Sequence, residues 1–155
     1  MKAIDEGNSK GESRMSITHE RLVSDALDRE AIRDVIVRYL DAIWRDDLDA
    51  VIQLFAADGT MVVPNGPLAG NAPVGHEQLH AFYVAGVRKM TPRPFGHNHL
   101  VDLHGDGRAS GRTYVELRSS VDYTWIGAAI YNDEYVKVDG TWKIRRREAR
   151  IQNLD

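Results

Sequence analysis

Two histidines one residue apart, His97 and His99, are the sharpest chemical feature of the chain. On a strand, residues i and i+2 face the same side, so the HNH segment is expected to project both imidazoles together. Such a pair suits general acid–base work, metal ligation or a hydrogen-bonded structural role. A zinc site needs at least a third ligand. Glu116 and Asp102 are the nearest in kind, Asp102 has the wrong parity relative to His97, and no metal is expected. Tyr39 sits on the apolar stripe of a helix, so its ring points inward and its hydroxyl needs a partner. It serves equally as a core tyrosine or as a donor to a substrate carbonyl. Trp44, five residues on, is a cavity wall or a packing residue.

Tyr114, Glu116 and Arg118 share one strand face, and Thr113, Val115 and Leu117 the other. Polar residues facing solvent are the ordinary arrangement of a half-buried strand. On a concave face, Glu116 would instead be an acid in an apolar cup, with a raised pKa. The stretch Lys143–Arg150 (KIRRREAR) is the only basic cluster. Its alternation predicts Trp142, Ile144, Arg146 and Glu148 on one face, opposite Lys143, Arg145, Arg147 and Ala149. With net charge −3 and interleaved acids, it reads as a solvated edge or subunit contact, not a nucleic-acid site. There is no Walker A loop, GxGxxG or GxSxG, and with no cysteine there is no thiol chemistry.

The 155 residues suit one core, and the period of the apolar residues places these groups on elements. Residues 1–17 are polar and Gly/Ser-bearing and are expected to form a disordered tail, with a single domain over 18–155. A short helical stretch (HERLVSDAL) precedes Asp28, an expected N-cap for a helix carrying Ile32, Ile36, Tyr39 and Ile43 inward. Asp46 or Asp47 caps a second helix, DLDAVIQLFA; Met61–Val63 reads as a strand, and a Pro-rich loop over 64–74 leads to a third helix ending at Met90. After the breaker TPRP the period changes to two. HNHLVDLH, GRTYVELRSS, TWIGAAIYNDEYVKV and TWKIRRREARI are expected strands, joined by turns at His104–Gly107 and Asp139-Gly140. Helices first and antiparallel strands after give an α+β fold with the helices on one face of a bent sheet. No apolar run approaches the ~20 residues of a membrane helix, and no signal-peptide core is present, so a soluble cytoplasmic protein is expected.

The order of the pieces resembles the SnoaL-like branch of the nuclear transport factor two superfamily. The resemblance rests on DREAIRDVIVRYLDAIWRDDLDAVIQLFAADGTM, on Gly75-His76, on HNHLVDLHGDGRASG and on YNDEYVKVDGTWKIRRREARI, and covers about Leu22 to Ile151. It implies a conical α+β barrel, three N-terminal helices on a strongly curved, mixed but mainly antiparallel sheet, with an internal pocket. In the dehydratase group of that superfamily a His–Asp pair removes a proton while tyrosines polarise an oxygen. Tyr39 and His97 fall on the tyrosine and histidine of the bile-acid dehydratase. Its helix aspartate falls on Trp44 and its strand aspartate near Glu116 or Leu117. One histidine of scytalone dehydratase lands near Pro94, and the other has no counterpart.

Two functions follow as expectations. The first is a cofactor-independent enzyme of dehydratase, isomerase or cyclase type, acting on a hydrophobic cyclic or aromatic carbonyl compound. There His97 is the base, oriented by Glu116 or His99, Tyr39 steadies the oxygen, and Trp44, Phe55, Met61, Phe82, Tyr114 and Trp125 line the pocket. The second is a binding or assembly module of the same fold, like a dioxygenase small subunit. Both include a homodimer through the outer sheet face, where Trp142 and Ile144 would otherwise be exposed.

Overall fold

The structure, a computed structural model, describes residues 7–152. Its first element is α1 (Gly7–Trp44), a single helix of 38 residues. Ile32, Val35, Ile36, Tyr39, Ala42 and Ile43 are buried on one stripe of its second half. Its first half stands clear of the sheet, with Ile17, Leu22, Val23 and Leu27 exposed. Two expectations are corrected here. The helix begins at Gly7, so the expected tail is helical from that residue, and residues 1–6 lie outside the described ones. Asp28 does not start a helix. It accepts hydrogen bonds from Trp142 Nε1 at 2.9 Å and Lys137 Nζ at 2.7 Å, which ties the helix to the far end of the sheet.

Asp46 takes a left-handed φ of 56° and turns the chain into α2 (Leu48–Gln53). Asp47 caps that helix by accepting from Ala50 N at 3.0 Å. The LFA segment expected to end this helix instead opens β1 (Phe55–Val62). Then come the Pro-rich loop and α3 (Gly75–Phe82), which continues through a π turn (Tyr83–Val87) into α4 (Arg88–Met90). Four long strands follow: β2 (Pro92–Gly105), β3 (Arg108–Ser119), β4 (Trp125–Val138) and β5 (Thr141–Gln152). The prolines expected to break the chain before β2 lie within its first residues, which is tolerated because β2 is an edge strand. Asp106-Gly107 and Asp139-Gly140 have positive φ throughout, the conformation that two-residue hairpins prefer.

The sheet order is β1-β5-β4-β3-β2, with β1 parallel to β5 and every other pair antiparallel. Helix α1 packs on β2 and β5, and α3 on β1. This is the expected α+β cone, a few helices enclosed by a five-stranded mixed sheet. Two β-bulges decide which side chains face the enclosed side. In β2 the register runs Gly96↔Val115 and then His99↔Thr113, so β2 carries one extra residue between them. In β5 it runs Ile144↔Tyr135 and then Arg146↔Glu134, which leaves Arg145 unpaired. Trp142 and Ile144 therefore point inward, and past the bulge so do Arg147 and Ala149. The argument for a dimer from exposed Trp142 and Ile144 falls with that, since both are core residues.

Among the described residues no helix is long and apolar enough to cross a membrane. Replacing Asp28 with Ala leaves the half-buried Trp142 N–H without its acceptor. Chemical denaturation should show a loss of about 1–3 kcal/mol, and Asp28→Asn, which keeps an acceptor oxygen, should lose less.

Candidate functional site

The interior of the cone holds a charged pair. Arg147 donates Nε to Asp133 Oδ1 at 2.8 Å and Nη2 to Oδ2 at 2.7 Å, with both side chains at most 1% exposed. The two residues are direct partners on β4 and β5, so the ladder itself supplies the fork geometry. Burial opposes the charge on Arg147, but the adjacent Asp133 carboxylate outweighs it and holds the pKa well above the ordinary value. The guanidinium also lies over the rings of Tyr39 and Tyr131, 4.1 and 4.3 Å from their centroids.

Those rings lead to the cavity. Tyr39 hydroxyl lies 2.9 Å from Tyr83 hydroxyl, and Tyr83 reaches Met61 Sδ at 3.9 Å. Burial raises the Tyr83 and Tyr131 phenols well above their usual pKa, so both stay protonated. Tyr39, Tyr131, Met61 and Phe82 line an apolar cavity of about 60 Å³, closed by Leu68 of the Pro-rich loop and by Val87 and Pro92. Leu68 packs against Gly86: a Cβ there would come within 2.8 Å of its methyl and push the side chain aside. Tyr39, Met61 and Phe82 are thus where the sequence pattern expected pocket residues. No carboxylate or imidazole lines this cavity.

The remaining predicted site residues are dispersed. His97 and His99 do not share a face, because the β2 bulge separates them. His97 is exposed on the outer face, its Nε2 3.5 Å from Glu116 Oε2, and Arg118 Nη2 is 2.5 Å from Glu116 Oε1. Glu116 therefore takes the solvent-face alternative. Tyr114 is exposed on the same face, and Trp125 is exposed at the start of β4. Phe55 is core, with its carbonyl 3.0 Å from His76 Nε2. Trp44 lies outside the cavity over the β2 edge, donating Nε1 to Pro94 O at 2.7 Å and packed between Phe95 and Tyr123.

His99 points inward, and its tautomer follows from its neighbours. Tyr135 donates its one hydroxyl proton to Asp133 Oδ2 at 2.8 Å, so at its 3.3 Å contact with His99 Nε2 the imidazole is the donor. Neutral His99 thus carries its proton on Nε2 and a lone pair on Nδ1. Burial, with Arg147 and Arg33 nearby, lowers its pKa against the opposing pull of Asp133. Nδ1 of His99, Oγ1 of Thr113 and Nη1 of Arg147 are all buried without a hydrogen-bond partner. His99, Thr113 and Tyr131 form one row across β2, β3 and β4, with Arg147 beside Tyr131. Arg147, Asp133, Tyr83 and Tyr135 were not found from the sequence. An arginine amid KIRRREAR gives no sign of burial, and only the bulge at Arg145 turns it inward.

The family model for the SnoaL-like domain matches residues 24–148, and the chain belongs to that family. No curated protein sequence matches the chain significantly. Among solved structures, hexachlorocyclohexane dehydrochlorinase LinA-type3 from Novosphingobium barchaimii LL02 is similar at TM-score 0.74 and 18% identity, over 86% of this chain and 92% of that one. An NTF2-like protein with a cystatin-like fold from Novosphingobium aromaticivorans gives 0.72 and 22%, over 87% and 86%. A protein of unknown function with a cystatin-like fold from Nostoc punctiforme gives 0.73 and 21%, over 82% and 92%. These likenesses establish the fold.

Asp133→Ala strands a buried guanidinium and should cost about 3–5 kcal/mol in urea unfolding, whereas replacing Asp133 and Arg147 together by Leu and Met should cost much less. His99 gives a pH signature. Its folded pKa is depressed, so below pH 6.5 the unfolded chain binds a proton that the folded chain refuses, and stability falls as pH drops from 7 towards 5. The lowered carboxylates Asp28, Asp47, Asp122 and Glu148 act below that window. Melting curves of His99→Gln should therefore show a flatter pH dependence between 7 and 5.

Proposed function

We propose that the chain binds a small apolar molecule through a carbonyl or phenolic oxygen, held by Tyr39 at the polar end of the cavity. The observation that carries this is the Tyr39–Tyr83 hydroxyl pair, backed by a buried cation and bordering an apolar cavity. When Tyr83 donates to Tyr39, only its weak contact with Met61 sulfur is lost, and the Tyr39 proton is free for a ligand acceptor. Arg147, against the Tyr39 ring, draws electron density toward the ring and makes the hydroxyl a better donor to the bound carbonyl. The closed volume of about 60 Å³ is too small for an aromatic ring, since a cavity that holds benzene is about 150 Å³. Binding therefore requires lining side chains such as Leu68 and Val87 to give way.

The acid–base reading keeps a specific support in His99, the imidazole with a free Nδ1 lone pair on the same buried network. It takes the place given above to His97. In that reading the reaction is of the dehydratase or isomerase type; because His99 does not line the cavity, it requires the space beside Tyr131 to extend past Thr113, so that Nδ1 reaches the proton next to the carbonyl while Tyr39 steadies the enolate oxygen.

Fluorescence titration with 2-naphthol tests the binding site. Wild type should bind, and Tyr39→Phe should bind about tenfold more weakly, the effect of one buried hydrogen bond. Equal binding by Tyr39→Phe would sink the assignment. Deuterium exchange at the α-carbon of 2-tetralone, followed by proton NMR, tests catalysis separately: exchange faster than buffer that is lost in His99→Gln and kept in His97→Gln is the expected result.

A further inference from the structure

The mouth of the cavity carries an arrangement that the pocket reading leaves unused. A second pocket of about 120 Å³ lies where the α1–α2 turn meets the end of α4, with Ile43, Leu48 and Thr91 in its wall and Arg88, Arg93 and Asp46 at its polar side. It shares Val87 and Pro92 with the inner cavity, so the two spaces adjoin there, and we read the outer one as the mouth. Three backbone irregularities surround it: the π turn that carries Val87, and left-handed φ values at Asp46 (56°) and Thr91 (42°). Such features concentrate at functional sites.

The charges at this mouth are not matched. Arg88 sends both Nε (3.0 Å) and Nη2 (2.7 Å) to the single oxygen Asp46 Oδ2, with both side chains about half exposed. Arginine binds carboxylates best through two parallel bonds to two oxygens, and this pairing falls short of that. The neighbouring Asp41 and Asp47 are both held by Arg45, at 2.9 and 3.0 Å. Arg93 stacks 5.5 Å from the Trp44 ring centroid, and no carboxylate lies within ion-pair distance of it among the described residues. Arg88 thus holds a single carboxylate oxygen and Arg93 none, leaving room for one further negative charge.

Resting on the pocket reading above, we infer that this mouth recognises a carboxylate, so that the bound molecule is an amphipathic acid. Its apolar ring body passes Val87 and Pro92 into the cavity, and its carboxylate takes both donors of Arg88 in place of Asp46, with Arg93 supplying the second charge. Asp46 holds the place of the ligand anion in the empty protein. Exchanging one carboxylate for another keeps Arg88 paired in both states, and the released Asp46, about half exposed, is left to water and not buried.

The test compares 6-hydroxy-2-naphthoic acid, an anion at pH 7 that keeps the phenolic oxygen at its far end, with neutral 2-naphthol by fluorescence titration of the full chain. Wild type should prefer the naphthoate about tenfold, a preference that shrinks as salt rises. Arg88→Gln should abolish the preference while leaving naphthol affinity within about twofold. Asp46→Asn frees Arg88 and should strengthen naphthoate binding severalfold with naphthol unchanged, a gain that a purely structural bridge would not give. Naphthol binding with no preference for naphthoate, or Asp46→Asn weakening both probes alike, overturns the carboxylate site alone. A folded wild type that binds neither probe overturns the pocket reading as well.

Discussion

One ion pair organises the interior of this protein. Asp133 and Arg147 are fully buried, and among the described residues each is the other's only opposite charge within ion-pair distance. Desolvating two ions is expensive, so such a pair is poor evidence for stability by itself, and its value lies in what it forces on its neighbours. Tyr135 must donate to Asp133, which dictates the His99 tautomer. Tyr39 and Tyr131 both present their rings to the guanidinium, which places the Tyr39 hydroxyl beside Tyr83 and sets the polar end of the cavity. The charge network and the apolar cavity are thus two sides of one construction.

Much of the fold was legible because helical and strand periods differ. The inward stripe Ile32, Ile36, Tyr39 and Ile43, the change of period after α4 and both Asp-Gly turns came directly from side-chain spacing and turn chemistry. The site was less legible, and for one physical reason. Parity along a strand assigns faces only while every residue is paired, and each of the two bulges inserts a residue that reverses the assignment beyond it. In β2 this separates His97 from His99, the pair on which the chemical reading of the sequence had rested. In β5 it brings Arg147 inside and keeps Trp142 there too. Tyr83 was readable as apolar helix surface, but its meeting with Tyr39 depends on the π turn and on α3 packing across from α1.

Trp44 illustrates how a family position can be reused. The resemblance set it where a dehydratase carries an acidic group, on a helix facing the pocket. Here the indole lies over the edge of β2, bonded to the Pro94 carbonyl and flanked by Phe95, Tyr123 and Arg93. It covers an edge strand that would otherwise present open backbone groups, and it anchors the arginine that faces the mouth.

The sheet order carries a consequence for how the molecule is made. Strand β5 follows the other four strands in the chain, yet it lies between β1 and β4 and pairs Phe55 with Ile144 in parallel. Until β5 leaves the ribosome, β1 has no partner strand, Asp133 has no counter-ion and the cone has a gap along its length. Closure therefore waits for β5 and is dominated by contacts far apart in sequence, and such topologies fold slowly. An incomplete chain lacking β5 would expose both unpaired strand edges and a naked carboxylate. It would be a substrate for quality control rather than a shorter version of the same protein.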